Sequence, residues 1–165
     1  MMTLQQWAAN GWLRSHQSSL QEISGMFSIV QRDLNDAEGD ISADWQFGIA
    51  YNAALKLCTI LLHASGYRPE RTLQHFRAIA ALPLILGGQR KNDAAYLDTC
   101  RIKRNTAEYD TAGVATQQDA AELVCFVKEL QLEVIQWLQL NHPELAPKAA
   151  PQGPIPDAQD TNLDA

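Results

Sequence analysis

The sequence predicts an all-α protein, an antiparallel up-and-down bundle of four main helices with one short extra helix. Apolar residues recur at intervals of three and four through four long segments, which is the pattern of amphipathic helices. Polar turns with capping residues separate these segments. No segment shows the alternation and the hairpin turn signals of a strand. The length of 165 residues fits one domain with a tail.

The first two helices are predicted at residues 3–10 and 18–37. Thr3 is a plausible N-cap for the short helix, because its hydroxyl can accept from a free backbone N–H of the first turn. The longer helix carries an apolar stripe, which consists of Leu20, Ile23, Phe27, Val30 and Leu34.

The third segment, residues 42–65, has Ser42 as its N-cap and Gly66 at its C-terminal end. Thr72 is the expected N-cap of the next helix. Pro83 lacks an N–H and clashes with the preceding turn, so a kink or break is expected there.

The last two main helices are predicted at residues 93–111 and 117–141, with Thr116 as N-cap of the second and Pro143 as its stop. Residues 1–142 would then form the folded domain. Residues 143–165 contain five of the seven prolines and few large apolar residues. A segment of this composition buries too little surface to offset ordering entropy, so a disordered tail is expected.

The expected location is the cytoplasm, with no membrane association. The N-terminal residues lack a charged start followed by an apolar run, so no signal peptide is predicted. The longest apolar-rich stretch, residues 53–64, is interrupted by Lys56, Thr59 and His63. No uninterrupted run reaches the roughly 18 apolar residues that a membrane span needs.

Cysteine and histidine spacing predicts neither a disulfide framework nor a metal site. Cys58, Cys100 and Cys125 are odd in number and show no CxxC spacing, so buried, unreactive thiols are expected. Cys100 is the one candidate nucleophile, because basic residues follow it. The four histidines show no metal-ligand spacing, and no cofactor is indicated.

The net charge of −6 hides a basic segment at residues 68–104. That segment contains eight Lys and Arg but three Asp and Glu, while the rest of the chain is strongly acidic. Such segregation is typical of a surface that faces anions. The alternative is that acidic residues of other helices pair with these cations in the folded protein.

Residues 98–110, DTCRIKRNTAEYD, carry the candidate site. Helical spacing places Arg101, Arg104, Asn105 and Tyr109 close to one another. An Arg there can bind phosphate through its planar fork of donors, and Lys103 adds charge. The structural alternative is an Arg104–Glu108 ion pair on an ordinary helix surface.

These residues, together with SADWQFGIAYNAALKLCTILLHASGYRP and TLQHFRAIAALPLILG, resemble the bacterial HEPN family (higher eukaryotes and prokaryotes nucleotide-binding). The resemblance covers about residues 5–140. It implies a helical bundle that is commonly dimeric. Many members are metal-independent endoribonucleases of toxin–antitoxin or phage-defence systems, and others are non-catalytic binding modules. It also implies a nucleotidyltransferase-like antitoxin as a partner.

The resemblance assigns the motif Arg to Arg104 and the motif polar residue to Asn105, while Tyr109 stands where the family has His. A phenol with a pKa near 10 is a poor base at neutral pH, whereas His titrates close to it. Weak or absent nuclease activity is therefore expected. His75 and Arg68, both in the basic segment, are candidate ligand-binding residues, and His75 is a candidate substitute for the missing His.

Three hypotheses remain. The chain is a HEPN-like module that binds RNA, nucleotide or a partner protein, or a metal-independent endoribonuclease, or a purely structural helical dimer. The basic segment favours the first two hypotheses, and Tyr109 favours the first over the second.

Overall fold

The computed structural model of the protein describes residues 2–109 and 112–147, with the side chains of residues 108 and 109 left undescribed. Within these ranges the chain forms an all-α bundle, as predicted. Its elements, in order, are α1 (Leu4–Ala9), β1 (Leu13–Ser15), α2 (Leu20–Ala37), α3 (Ala43–Ala64), β2 (Tyr67–Pro69), α4 (Gln74–Ala80), α5 (Leu82–Leu86), a 3₁₀ turn (Gly88–Arg90), α6 (Lys91–Tyr109), α7 (Gln117–Asn141) and a second 3₁₀ turn (Pro143–Leu145).

Helix α3 is the centre of the bundle. It packs against α2, α6 and α7, the other three long helices. Its buried alanines, Ala50, Ala53 and Ala54, are fully inaccessible and allow neighbouring helices to approach closely. A helix that contacts partners on so many sides must be apolar around most of its circumference.

By length and composition, α3 is also able to cross a membrane. The sequence prediction missed this because it counted uninterrupted apolar residues. In the structure, 61% of the most apolar window of α3 is buried inside the bundle. Burial in the core accounts for the hydropathy of this helix.

Three of the predicted helix caps, two at the beginning of a long helix and one at the end, are present. Ser42 accepts a hydrogen bond from the backbone N–H of Trp45, and Thr116 forms a reciprocal capping box with Asp119. Gly66 follows α3 with a φ of +95°, a conformation that glycine adopts without the penalty of a side chain. Helix α2 begins two residues later than predicted, with Ser19 as its cap.

The prediction that Thr72 caps the following helix is wrong. Helix α4 begins after Leu73, which has a φ of 56° and makes no side-chain cap. A left-handed backbone at this point reorients the chain without a capping hydroxyl. The break at Pro83 is confirmed, since α4 ends at Ala80 and the proline lies in the first turn of α5, where its missing N–H costs nothing.

The sequence did not predict a sheet, but β1 and β2 pair antiparallel, with Arg14 opposite Arg68. Each strand has three residues, too few to show an alternating pattern. The pairing attaches the N-terminal segment to the chain that leaves α3.

The folded part extends past residue 142, where the sequence predicted that it ends. Leu145 and Ala146 are both buried against the core. Pro143 stops α7 but starts a 3₁₀ turn, and this turn brings Leu145 back onto the bundle. The rest of the predicted tail, residues 148–165, lies outside the described residues.

Candidate functional site

The candidate site is a groove along the exposed side of α3, formed by two cavities that meet at Asn52. The first cavity is about 420 Å³ and is lined by Ser42, Asp44, Trp45, Gly48, Ile49, Asn52, Arg104, Ala107 and Ala112. The second is about 380 Å³ and is lined by Asn52, Leu55, Lys56, Thr59, His63, Arg68, Pro69, Gln74, His75 and Ala78. We call the two together the α3 groove.

Arg104 lies across α3 and forms part of the wall of the first cavity. Its guanidinium carbon is 5.7 Å from the ring centre of Tyr51. Its Cγ is 4.0 Å from the position that a Cβ would take at Gly48. The lack of a side chain at Gly48 thus leaves the stem of Arg104 close to the α3 backbone, and the head group is held beside an aromatic face.

Asn105 lies beside Arg104 on α6 but lines neither cavity of the α3 groove. The Arg104 guanidinium donates a hydrogen bond of 3.3 Å to the Asn105 side-chain carbonyl oxygen. Helix α6 ends at Tyr109, whose side chain is outside the described residues. The predicted neighbourhood of Asn105 and Tyr109 therefore stays a prediction.

The other two basic candidate residues of α6, Arg101 and Lys103, point to different neighbours. Arg101 forms an ion pair of 2.8 Å with Asp98 and lies near the Phe76 ring of α4. Lys103 pairs with Asp119 of α7 at 3.1 Å and lines a different, smaller cavity. Lys103 is thus placed away from the α3 groove, because the helix turns by about 100° per residue.

His75 comes into the electrostatic field of Arg104 and Arg101, although about 30 residues separate them in sequence. Burial, followed by these two guanidinium groups and Lys56, lowers the pKa of His75 below its usual value. The imidazole is therefore neutral at pH 7 and able to accept a proton. Arg68 lines the same cavity as His75, and its predicted role in ligand binding stays a prediction.

Internal pairing accounts for only part of the basic segment. Arg90 pairs with Asp93 at 3.0 Å and with Glu133, and Arg77 lies over the Trp12 ring at 4.1 Å. In contrast, Arg68 of the basic segment and Lys56 of α3 form no ion pair with the residues that the structure describes. Both basic side chains of the second cavity thus stay available to an anion.

Sequence reasoning missed the contribution of α3 to the groove. Trp45, Asn52 and Lys56 line the cavities from this helix, but none of them was among the candidate site residues predicted from the sequence. The side chain of Trp45 is 66% exposed. Exposure depends on tertiary packing, so the sequence alone did not show that Trp45 lies at the surface.

A second cluster was also missed, at the N-terminal end of α2. One carboxylate oxygen of Glu22 contacts His16 Nε2 at 2.8 Å and His63 Nδ1 at 2.9 Å. Burial favours the neutral acid, but the hydrogen bonds from His16 and His63 outweigh it and lower the pKa of Glu22. Burial also lowers the pKa of His63, against the opposing effect of Glu22.

Two of the three cysteines, Cys58 and Cys100, make no candidate nucleophiles. Cys58 and Cys100 are buried, and burial raises their pKa to about 12 and about 11. Neither is ionised at neutral pH, so the idea of a reactive Cys100 has no support. Cys125 is exposed on α7, contrary to the prediction of buried thiols.

Comparisons of this chain with protein-family profiles, with curated proteins and with solved structures found no match.

Proposed function

We propose that the protein is a HEPN-like module that binds single-stranded RNA in the α3 groove, without robust catalysis. The observation that carries the proposal is the composition of the groove. A guanidinium and an exposed indole flank the first cavity. Two basic side chains that form no ion pair within the described part of the chain line the second.

The basic residues suit the phosphate groups of such a ligand. Arg104 presents a planar fork of donors at one end, and Arg68 and Lys56 provide positive charge at the other. Two charged regions along one groove match a ligand that carries a row of phosphates better than one with a single anionic group. An acidic protein with one basic groove concentrates its attraction for polyanions there.

The neutral residues suit the bases. RNA recognition commonly relies on unstacked bases that stack on aromatic side chains, and such stacking contributes about 1–3 kcal/mol per base. Trp45 provides an exposed ring at the rim of the first cavity. Asn52, shared by both cavities, has an amide that can both donate to and accept from a base edge.

Binding of a short fluorescent RNA, measured by anisotropy over a range of salt concentrations, tests the proposal. We expect Trp45→Ala to weaken binding by about 1–3 kcal/mol. Arg104→Ala should weaken binding and reduce the salt slope by about 0.7, the value of one phosphate contact to a single strand. Lys128→Ala is the matched control, since Lys128 pairs with Glu38 and lines neither cavity.

Two results would contradict the binding of RNA in the α3 groove. The first is equal affinity in Arg104→Ala, Trp45→Ala and Lys128→Ala, which would place any RNA contact elsewhere. The second is a mononucleotide that competes as strongly as the RNA, which would identify a nucleotide site. Circular dichroism of each variant separates a loss of contacts from a loss of fold.

A second candidate function, metal-independent endoribonuclease, is favoured by the position of His75 near Arg104. The family motif has a His where this chain has Tyr109, and a neutral His75 is able to take the proton of a 2′-hydroxyl. Arg104 would then stabilise the negative charge that develops on the non-bridging phosphate oxygens in the transition state.

RNA cleavage in the presence of EDTA tests this second candidate. We expect that any such activity is lost in both His75→Gln and Arg104→Ala, and kept in His142→Gln. Cleavage that persists in His75→Gln would exclude His75 as the base, and cleavage abolished by EDTA would exclude the metal-independent reaction.

A further inference from the structure

The His16–Glu22–His63 cluster lies where three elements of the fold converge. His16 follows β1, Glu22 is in the first turn of α2, and His63 is in the last turn of α3. Their ligand atoms all lie within 4.8 Å of one another. The separations in sequence are 6 and 41 residues, so no local spacing motif predicts the cluster.

We propose that these three residues form a binding site for a divalent transition-metal ion of the Zn²⁺ type. Two imidazole nitrogens and one carboxylate are the donor set of many three-ligand zinc sites, in which solvent completes the coordination. Hard ions such as Mg²⁺ and Ca²⁺ prefer sites made entirely of oxygen ligands, so they do not fit this cluster.

The distances suit such an ion after a small adjustment. Ligands at 2.0–2.1 Å around a tetrahedral ion lie about 3.3 Å from one another. The two nitrogen–oxygen separations, 2.8 and 2.9 Å, are close to that value. The two ligand nitrogens lie within 4.8 Å of each other, so the imidazole rings must rotate toward each other to bring both nitrogens to one ion.

The backbone around the cluster is held in place without the ion. The N–H of His16 donates to the carbonyl of Gly66 at 2.9 Å, as a continuation of the β1–β2 pairing. The Ser18 hydroxyl donates to the carbonyl of His63 at 2.9 Å. These bonds anchor both histidines on main chain that is already ordered, which lowers the entropic cost of assembling the site.

The side chains are partly open to solvent, with exposures of 20% for His16, 32% for Glu22 and 14% for His63. An ion at the cluster can therefore keep one or more water ligands. An ionised Glu22 offsets part of the ionic charge, and a neutral His63 is the form that binds metal. The positive charge of Arg68 disfavours further positive charge at His63, so it should weaken the binding of a cation.

Titration with Co²⁺, a spectroscopic probe of zinc sites, tests the proposal on the full chain without an affinity tag. All variants carry Cys125→Ser, because Cys125 is the exposed thiol among the described cysteines. We expect one Co²⁺ per chain, with the visible absorption of low-coordinate cobalt, and displacement by Zn²⁺. His16→Gln, Glu22→Gln and His63→Gln should each lower the affinity at least about tenfold.

His75→Gln and His142→Gln are the matched controls and should bind Co²⁺ as the parent does. Arg68→Gln should bind the ion more tightly, because it removes a repulsive charge. Failure of the parent to bind Co²⁺ at about 1 mM, or equal binding by the three cluster variants, would overturn the proposal.

Thermal unfolding tests metal binding at the cluster by a measurement that does not depend on absorption. Zn²⁺ binding to the folded state should raise the Tm of the parent and of His75→Gln, but not that of Glu22→Gln. Glu22→Gln keeps the shape and hydrogen-bonding capacity of the side chain, so it remains informative if His63→Gln does not fold. An equal rise in Glu22→Gln would contradict the site. Neither assay contains RNA, so failure here leaves the proposed function untouched.

Discussion

Among single residues, Tyr51 connects the core to the groove, because its buried ring lies beneath the guanidinium of Arg104. Tyr51 is 1% exposed, and its hydroxyl has no hydrogen-bond partner among the described residues. Burial raises its pKa to about 12, although Arg101 and Arg104 act in the opposite direction. The ring packs in the core and lies beside Arg104. The buried hydroxyl lowers the stability of the folded state, because it loses its hydrogen bonds to water.

Replacing Tyr51 by Phe should therefore stabilise the protein by about 1 kcal/mol, because an unpartnered buried hydroxyl loses its bonds to water on folding. Urea denaturation measures the free energy of unfolding of both proteins. Tyr51→Ala is the contrasting variant and should lose about 3–5 kcal/mol through the cavity it leaves. A Tyr51→Phe variant that is clearly less stable would show that the hydroxyl has a partner in solution.

At the scale of elements, one carboxylate links the start of α3 to the segment before α7. Asp44 accepts hydrogen bonds from the backbone N–H of Gly113 at 2.5 Å and of Ala115 at 3.0 Å. These two bonds lower the pKa of Asp44. The same segment contributes Ala112 to the first cavity, so Asp44 also fixes one wall of the groove.

Asp44→Asn should lower the Tm at neutral pH, since the amide oxygen accepts the two bonds less strongly than a carboxylate does. The folded-state pKa lies below the unfolded value of about 3.9, so the contribution of Asp44 is fully present above that pH. It is lost as the pH falls through the lower, folded-state pKa.

Thermal unfolding of the parent and of Asp44→Asn between pH 2 and pH 7 measures this effect. The difference in Tm should be largest near neutrality and should shrink below about pH 4. Asp40→Asn, at an exposed position in the α2–α3 turn, serves as the control and should show a smaller difference. If the difference in Tm between the parent and Asp44→Asn stayed constant down to pH 2, the charge of the Asp44 carboxylate would be excluded as its cause.

The elements also show where sequence reasoning succeeds. Capping and apolar periodicity are local, so the caps Ser42 and Thr116 and the apolar stripe of α2 predicted their helices to within about two residues. The start of α4 and the β1–β2 pair were not predictable in this way. Leu73 adopts a left-handed backbone, and the two strands are held together by residues about 50 positions apart.

On the scale of the whole molecule, the chain after α7 closes the bundle. Leu145 is 8% exposed and belongs to the same core as α2, α3 and α7. Leu145→Ala should destabilise the protein by about 2 kcal/mol, the low end for such a substitution, because the residue is at the periphery of the core.

Leu140→Ala is the matched control for Leu145→Ala, since Leu140 is 77% exposed on the same stretch of chain. It should change the free energy of unfolding by less than about 0.5 kcal/mol. Chemical denaturation of both variants gives the comparison. Equal effects would mean that the 3₁₀ turn does not pack on the core in solution.

The bundle was predictable as a whole because the sequence of each long helix shows apolar periodicity and capping residues. Arg104, Arg68 and His75 were candidate site residues from the sequence and line the α3 groove, whereas Asn105 and Lys103 line neither of its cavities. Trp45 and Lys56 join the groove from α3, and the His16–Glu22–His63 cluster combines three elements. Tertiary packing creates these neighbourhoods, and a single sequence does not encode them in any local spacing.

The central place of α3 has a consequence for how the molecule opens. Each of the other long helices packs against α3, so none of them can detach without exposing its buried face. The backbone amides in the middle of α3 should then exchange with deuterium only when the whole protein unfolds. Short elements at the edge, such as α1 and α4, have fewer buried residues and can open alone on a faster timescale.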